Sequence, residues 1–130
     1  MNILDITMWV NVILVFVMAF LQMALTFGAP LGEYALGGMN KILPIKMRFV
    51  SALFSSLFVI VGLSYLQLAS KTYSLFNVTF IDILLIIYTV FLAFAIISNG
   101  FLTKSKKEKY VMLPLSIIGF ISSFYFVFNK

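Results

Sequence analysis

Four long apolar blocks, separated by short polar connections, constrain this chain more than any other feature. About 63% of its 130 residues are hydrophobic and only 10% are charged. A soluble domain of this size needs a polar surface, which such a composition cannot supply. The blocks cover about residues 6–27, 45–68, 80–98 and 107–128, each near the ~20 residues that cross a ~30 Å hydrocarbon layer as a helix. The pattern predicts an all-α integral membrane protein, with residues 1–130 forming a single transmembrane domain of four helices.

Basic residues are divided unevenly between the two ends of such a bundle. Seven lie in or beside the connections between spans 1 and 2 and between spans 3 and 4, against two at the other end. Because Lys and Arg accumulate on the cytoplasmic side, both connections are predicted to be cytoplasmic and both termini to lie outside the cell membrane. The connections are short, which favours antiparallel neighbours. The seven are Lys41, Lys46, Arg48, Lys104, Lys106, Lys107 and Lys109, and the two are Lys71 and Lys130.

Several kinds of chemistry are excluded by the residue types that are missing. The chain has no cysteine and no histidine, which removes thiolate nucleophiles, the commonest general base and the commonest metal ligand. It has no phosphate-binding loop and no G-x-S-x-G motif. The net charge of +5 lies between apolar blocks, where membrane topology explains it better than nucleic-acid binding does. We therefore expect no enzyme, no cofactor, no metal site and no nucleic-acid partner.

The most unusual segment is a glycine-rich elbow between spans 1 and 2. Gly28 is expected to end span 1 in a left-handed cap, and Pro44 to open span 2. One interpretation makes Glu33 a carboxylate at the mouth of a cavity, paired with Arg48 or binding a cation. The other, which we favour, is an interfacial elbow with a short surface helix whose positive end Glu33 stabilises. The elbow comprises Gly28, Pro30, Gly32, Gly37, Gly38 and Pro44.

Three amide side chains within the spans are further candidates for a substrate or ion site. Asn11 and Gln22 lie in span 1, and Asn99 lies at the inner end of span 3. In lipid such groups seek partners on neighbouring helices, worth about 0.6 to 2 kcal/mol each. Hydrogen bonding between helices is their favoured role, and the lining of a polar path is the alternative.

Span 4 begins with two local signals. Ser105 and Glu108 have the spacing of a capping box, in which each side chain binds the backbone N–H of the other residue. Pro114 lies about two turns further on, where it removes one backbone hydrogen bond and crowds the carbonyl of Tyr110. This proline predicts a helix kink.

Small residues follow one face of each of the last three spans. Such stripes let helices approach closely, and packing within one bundle is their favoured role, with a dimer seam as the alternative. The stripes are Ser51, Ser55, Gly62 and Ala69; Thr89, Ala93 and Gly100; and Ser116, Gly119 and Ser123.

Two patches of the chain carry a distinctive set of residues. The first is Gly28-Ala29-Pro30-Leu31-Gly32 with Gly37-Gly38, Leu43-Pro44 and Arg48, and the second is Asn99, Ser105, Glu108 and Pro114. Together they resemble a group of small four-span bacterial membrane proteins of unassigned function. The resemblance implies a four-helix membrane fold and places emphasis on the cytoplasmic face, and it implies no activity and no catalytic residue.

Two functional classes follow from these observations. The first is a small carrier or channel for a solute or ion, acting as a homo-oligomer, with Glu33 and Arg48 at the inner mouth of the path. The second is an accessory, assembly or immunity-type subunit that binds another membrane protein through its small-residue faces and the elbow. A cavity lined by Asn11, Gln22, Asn99 and Glu33 would favour the first class, and small-residue faces beyond what four spans need would favour the second.

Overall fold

A computed structural model, which describes residues 2–35, 40–70 and 74–129, consists of four long helices and short irregular segments. The helices are α1 (Ile3–Thr26), α2 (Ile45–Ser70), α3 (Val78–Ile97) and α4 (Leu113–Asn129). A π-helical segment extends α3 through Ser98–Leu102, and another, Glu108–Met112, leads into α4. All four spans are long and apolar enough to cross a membrane. The predicted fold class, an all-helical four-span bundle, is therefore confirmed.

Capping interactions at the ends of the helices explain where α1 begins and ends and where α2 begins. The Asn2 side chain accepts a hydrogen bond from the backbone N–H of Asp5, and the Asp5 carboxylate accepts one from the backbone N–H of Asn2, which closes a capping box at the start of α1. At the other end Gly28 has φ +92°. The N–H of Ala29 reaches the carbonyl of Ala24, the pattern of a Schellman motif. The predicted glycine stop is therefore confirmed, and Pro44 directly precedes α2 and accepts the first bond of that helix.

The four helices pack as two hairpins. Helix α1 packs most extensively against α2, α3 packs against α4, and the hairpins meet chiefly along α1 and α4. Helices α2 and α3 barely touch through their backbones, and aromatic rings bridge them instead, with Phe58 facing Phe91 at 5.7 Å and Tyr88 at 6.5 Å between ring centroids. The space between the hairpins is therefore closed on one side mainly by side chains.

Most residues of the small-residue stripes are buried in contacts between helices of this bundle. Ser51 and Ser123 are fully buried, and Ser55 donates a hydrogen bond to the carbonyl of Ala19 across the α1–α2 contact. A methyl group on Gly62 would lie 2.6 Å from the ring of Phe16, so glycine permits the close approach of α1 and α2. The favoured role of these stripes, packing within one chain, is the one seen at these positions.

A chain of hydroxyl groups ties α2, α3 and α4 together near the far end of the bundle. The Oγ of Ser123 lies 2.9 Å from the hydroxyl of Tyr65 and 2.6 Å from Oγ1 of Thr89. The hydroxyl group of Thr89 donates its one hydrogen to the carbonyl of Leu85, at 2.8 Å. Ser123 must therefore donate to Thr89 and accept from Tyr65, which fixes the direction of every bond in the chain.

The capping box predicted at the start of span 4 is corrected in detail. Ser105 does accept the N–H of Glu108 at 3.3 Å, but its own N–H donates to Oγ1 of Thr103. Only half of the capping box therefore forms, and the carboxylate of Glu108 is free of that role. A π-helical segment precedes Pro114, in which the N–H of Leu113 reaches the carbonyl of Glu108; the kink at Pro114 stays a prediction.

The elbow and the connection between α3 and α4 lie against each other at one end of the bundle. Ser105 donates a hydrogen bond to the carbonyl of Glu33 at 2.7 Å. The N–H of Gly32 donates to the carbonyl of Lys41, and a methyl group on Gly32 would lie 1.8 Å from the carbonyl oxygen of Asn40. The interfacial elbow predicted with a short helix is present as one 3₁₀ turn, Gly32–Tyr34. Gly37, Gly38, Lys71 and Lys130 lie outside the described residues.

Candidate functional site: a cavity between the two hairpins

A cavity of about 250 Å³ lies between the hairpins and reaches toward the elbow. All four helices contribute to its wall, as do the 3₁₀ turn and the π-helical segment before α4. The wall is mostly apolar, and its polar members gather toward the end at which the two connections meet. These polar members are Gln22, Tyr34, Ser98, Asn99, Glu108 and Ser116.

Glu108 is the charged side chain of this cavity. It is only 2% exposed, and its Oε1 atom has no hydrogen-bonding partner among the described residues. Burial away from water is costly for a carboxylate unless a counter-charge or several donors accompany it. Glu108 lines the cavity, so a cation that entered the cavity would supply the missing counter-charge.

Two of the three amides predicted as site residues border the same cavity. Gln22 is 5% exposed, and its Oε1 atom is also without a partner within the described part of the chain. Asn99 donates to Oγ of Ser116 at 2.8 Å, and Ser116 donates to the carbonyl of Met112. Asn99 therefore forms the interhelical bond predicted for it and lines the cavity as well. Gln22 and Asn99 therefore both contribute polar side chains to this end of the cavity.

Asn11 lies elsewhere. It is fully buried, donates to the carbonyl of Thr7 at 2.8 Å, and is not among the residues that line the cavity. Its Oδ1 atom has no partner in residues 2–35, 40–70 and 74–129. The predicted site that joined Asn11 to Gln22 and Asn99 is therefore split, with Asn11 on a part of α1 that the cavity does not reach.

Glu33 is paired with Lys107 rather than with Arg48. Nζ of Lys107 lies 2.8 Å from Oε2 of Glu33. Arg48 instead donates its Nε hydrogen to the carbonyl of Leu43 and packs beside Gly28, so it joins the two ends of the elbow. The less favoured interpretation, in which Glu33 pairs with Arg48, is therefore wrong on this point, because Arg48 binds the backbone of Leu43 and Glu33 binds Lys107.

The ion pair belongs to the outer rim of the cavity. Hydrogen bonding to Lys107, and its charge, lower the pKa of Glu33 below the ordinary value of 4.5. The same contacts raise the pKa of Lys107 above 10.5. Lys107 also lies 5.7 Å from the ring centroid of Tyr34, whose side chain lines the cavity. At this end, Lys107 of the second hairpin therefore contacts Glu33 and Tyr34 of the first. Neither Lys107 nor Glu33 is among the residues that line the cavity with Glu108.

The opposite part of the cavity is aromatic. Phe54 and Phe58 of α2 face Phe91 of α3, with ring centroids 5.9 Å and 5.7 Å away, and Tyr88 adds an edge contact to Phe58. All four side chains line the cavity. The site thus has a polar end with one carboxylate and an aromatic end nearer the middle of the bundle.

Sequence reasoning missed Glu108 as a site residue because the capping-box spacing assigned it a local role. A second signal was present in the same segment. Glu108, Met112, Ser116 and Gly119 recur at helical spacing, and all four are buried and line the cavity. An acid at the head of a buried helical face indicates an inward carboxylate.

Comparison with family models, with curated proteins and with solved structures gave no match to this chain. The chemistry of the cavity is therefore the basis on which its function is inferred.

Proposed function

We propose that this membrane protein is a carrier for a small solute and that the cavity between the hairpins is its binding site. The observation that carries the proposal is the buried Glu108 carboxylate, with an unpartnered oxygen, in the wall of a cavity of about 250 Å³. Ionisable groups inside a membrane bundle are costly, and they commonly mark pathways for substrates or ions.

Contacts at both ends of the cavity support a carrier rather than an open channel. On the elbow side the hairpins are joined by the Glu33–Lys107 ion pair and by the hydrogen bond from Ser105 to Glu33. On the far side they are joined by the bond between Tyr65 and Ser123. Besides the apolar contact of α1 with α4, each closure includes a few polar contacts that can break while the packing within each hairpin stays intact. Rocking of two such units around a central site is a common way to expose it alternately to the two sides.

The alternative of an accessory or immunity-type subunit draws less support. Its predicted docking faces were the small-residue stripes, and Ser51, Ser55, Gly62, Gly119 and Ser123 are buried within the bundle itself. The elbow surface likewise packs against the connection between α3 and α4. These surfaces are already covered by the chain's own residues.

Cysteine accessibility tests the carrier directly, because the natural chain contains no cysteine. Ser98→Cys places one thiol in the cavity wall. The variant is reconstituted in vesicles and treated with the membrane-impermeant cation trimethylammonioethyl methanethiosulfonate, added outside or trapped inside. A carrier exposes this thiol to both compartments over time, so modification is expected from either side.

Two controls and two contrary outcomes complete this test. Ser64→Cys, at a fully buried position outside the cavity, is expected to stay unmodified, and Ser56→Cys, on the outer face of α2, reports reagent trapped at the lipid surface. Modification of Ser98→Cys from one side only would show a dead-end pocket and would refute the carrier. Absence of modification from both sides would refute access to the cavity altogether.

A further inference from the structure

We infer that the solute is an organic monocation with a short apolar or aromatic tail, and that Glu108 is its counter-ion. This inference rests on the proposed function, because it names the class of molecule that the cavity would carry. It follows from three features of the cavity: its charge, the arrangement of its polar and aromatic parts, and its size.

The charge of the cavity selects against anions. Glu108 is the charged residue among the side chains that line it, and no lysine or arginine joins it there in the described residues. Lys107, the residue before Glu108, is paired with Glu33, with its Nζ 2.8 Å from Oε2 of Glu33. An anion entering the cavity would meet a buried carboxylate without a compensating base, which is strongly unfavourable in a medium of low dielectric constant. A cation removes the cost of burying Glu108.

The donor set does not suit a divalent metal ion. No group of three acidic, histidine or cysteine side chains lies close enough together to hold one within the described residues. Calcium takes six to eight oxygen ligands, and magnesium takes six, several of them water. A single carboxylate in a largely apolar wall fits a cation whose charge is spread over an organic group.

The two ends of the cavity match the two ends of an amphiphilic cation. Asn99 and Tyr88 both line it, and the eleven helical steps from one to the other correspond to about 16 Å at 1.5 Å per residue. The ammonium group would lie near Glu108 and Gln22, whose side chains line the cavity and each have one oxygen without a partner among the described residues. The tail then extends toward Phe58 and Phe91. The faces of these rings also attract a cation that comes within about 6 Å of them during its passage.

The size of the cavity limits the tail. About 250 Å³ is slightly below the 300–1,000 Å³ typical of pockets for drug-sized ligands. One aromatic ring with a small ammonium head is therefore a suitable probe, and a large polycyclic cation is not.

The test compares three benzyl compounds that differ mainly in charge. Benzyltrimethylammonium, benzyl alcohol and phenylacetate carry charges of plus one, zero and minus one on the same ring and methylene group. Their binding to the purified protein in lipid nanodiscs is measured by isothermal titration calorimetry. The wild-type protein is expected to bind the cation at least about tenfold more tightly than the alcohol, a difference of about 1.4 kcal/mol, and phenylacetate most weakly.

Three variants assign this preference to one carboxylate. Glu108→Gln keeps the shape of the side chain and removes its charge, so the cation should lose at least about tenfold in affinity while benzyl alcohol changes by less than about threefold. Glu108→Asp keeps the charge and should retain the order of the three ligands. Asp5→Asn removes an acid at the start of α1, outside the cavity lining, and should leave the order unchanged. Circular dichroism of each variant checks that the helices are intact.

The outcomes separate this inference from the proposed function. Equal affinities for the three compounds, a preference that survives in Glu108→Gln, or no binding of any of them would overturn the monocation assignment. So would sodium binding that depends on Glu108 and excludes benzyltrimethylammonium, measured at constant ionic strength with N-methylglucamine as replacement. A cation preference together with one-sided modification of Ser98→Cys would keep the binding site and refute the carrier.

Discussion

Ser123→Ala tests the hydroxyl chain that joins three helices. Ser123 is fully buried and lies between Tyr65 and Thr89. Its removal leaves the hydroxyl of Tyr65, itself fully buried, without its bond across the hairpins, whereas Thr89 keeps its bond to the carbonyl of Leu85. The loss should therefore fall mainly on the contact between α2 and α4.

The expected magnitude follows from the number of bonds lost. Hydrogen bonds between helices in membrane proteins average ~0.6 kcal/mol and reach ~1.7 kcal/mol. Ser123→Ala removes two of them, which predicts a loss of about 1 to 3 kcal/mol in the free energy of unfolding. Tyr65→Phe removes one, and the double variant should cost less than the sum of the two single variants. The coupling energy between Tyr65 and Ser123 should be about 0.6 to 1.7 kcal/mol.

Unfolding in mixed micelles, driven by increasing SDS and followed by far-UV circular dichroism, gives the four free energies of this cycle. Ser56→Ala is the matched control, because it makes the same chemical change at an exposed position on α2. It should change the stability by less than about 0.5 kcal/mol. Full additivity of Tyr65→Phe and Ser123→Ala would refute the bond between the hairpins.

Three further predictions concern the elbow and the orientation. Gly32→Ala should lower the free energy of unfolding by about 2 to 4 kcal/mol, because the new methyl group would lie 1.8 Å from the carbonyl oxygen of Asn40. Gly119→Ala is the control, since its methyl group would meet neighbours at 3.5 Å or more. It should change the free energy of unfolding little in the same SDS assay. The Glu33–Lys107 pair should form at pH values above 4.5 and below 10.5, because the pKa of Glu33 is lowered and that of Lys107 is raised; its stabilisation is lost as the pH falls through the lowered pKa or rises through the raised one. The NMR shift of the Glu33 carboxyl carbon follows this titration, and a midpoint at 4.5 or above, unchanged in Lys107→Met, would contradict the pairing. Protease-cleavable tags on either terminus should be cut by protease added to intact cells, and protection of both tags would reverse the predicted orientation. Cross-linking in the same cells tests the predicted homo-oligomer.

The fold was predictable because it depends on patterns that act locally or through the solvent. Apolar blocks of sufficient length require helices in a bilayer whatever their neighbours are. The stop at Gly28 and the start at Pro44 depend on backbone geometry within a few residues. The boundaries therefore came within a few residues of those observed, such as a first span expected from about residue 6 and found from Ile3.

The site was less predictable because it depends on which faces meet. Glu33 could have paired with any nearby base, and the choice of Lys107 over Arg48 is made by the contact of two connections that are about 70 residues apart. The hydroxyl chain of Tyr65, Ser123 and Thr89 likewise joins three separate spans. Local sequence carries no information on such pairings unless the rotation of each helix is known.

The two connections explain why adjacent residues have opposite roles. Lys107 is exposed and bound to Glu33, whereas Glu108 is buried and faces the cavity. Successive side chains on a helix point about 100° apart, so one residue can serve the rim while the next serves the interior. Exposed ion pairs contribute little to stability, and opening the rim between Glu33 and Lys107 therefore costs little. A cation that neutralises the buried Glu108 gains more, because its partner is desolvated. In the proposed carrier, this energetic difference between rim and interior would let solute binding, rather than the ion pair, decide which conformation of the hairpins is populated.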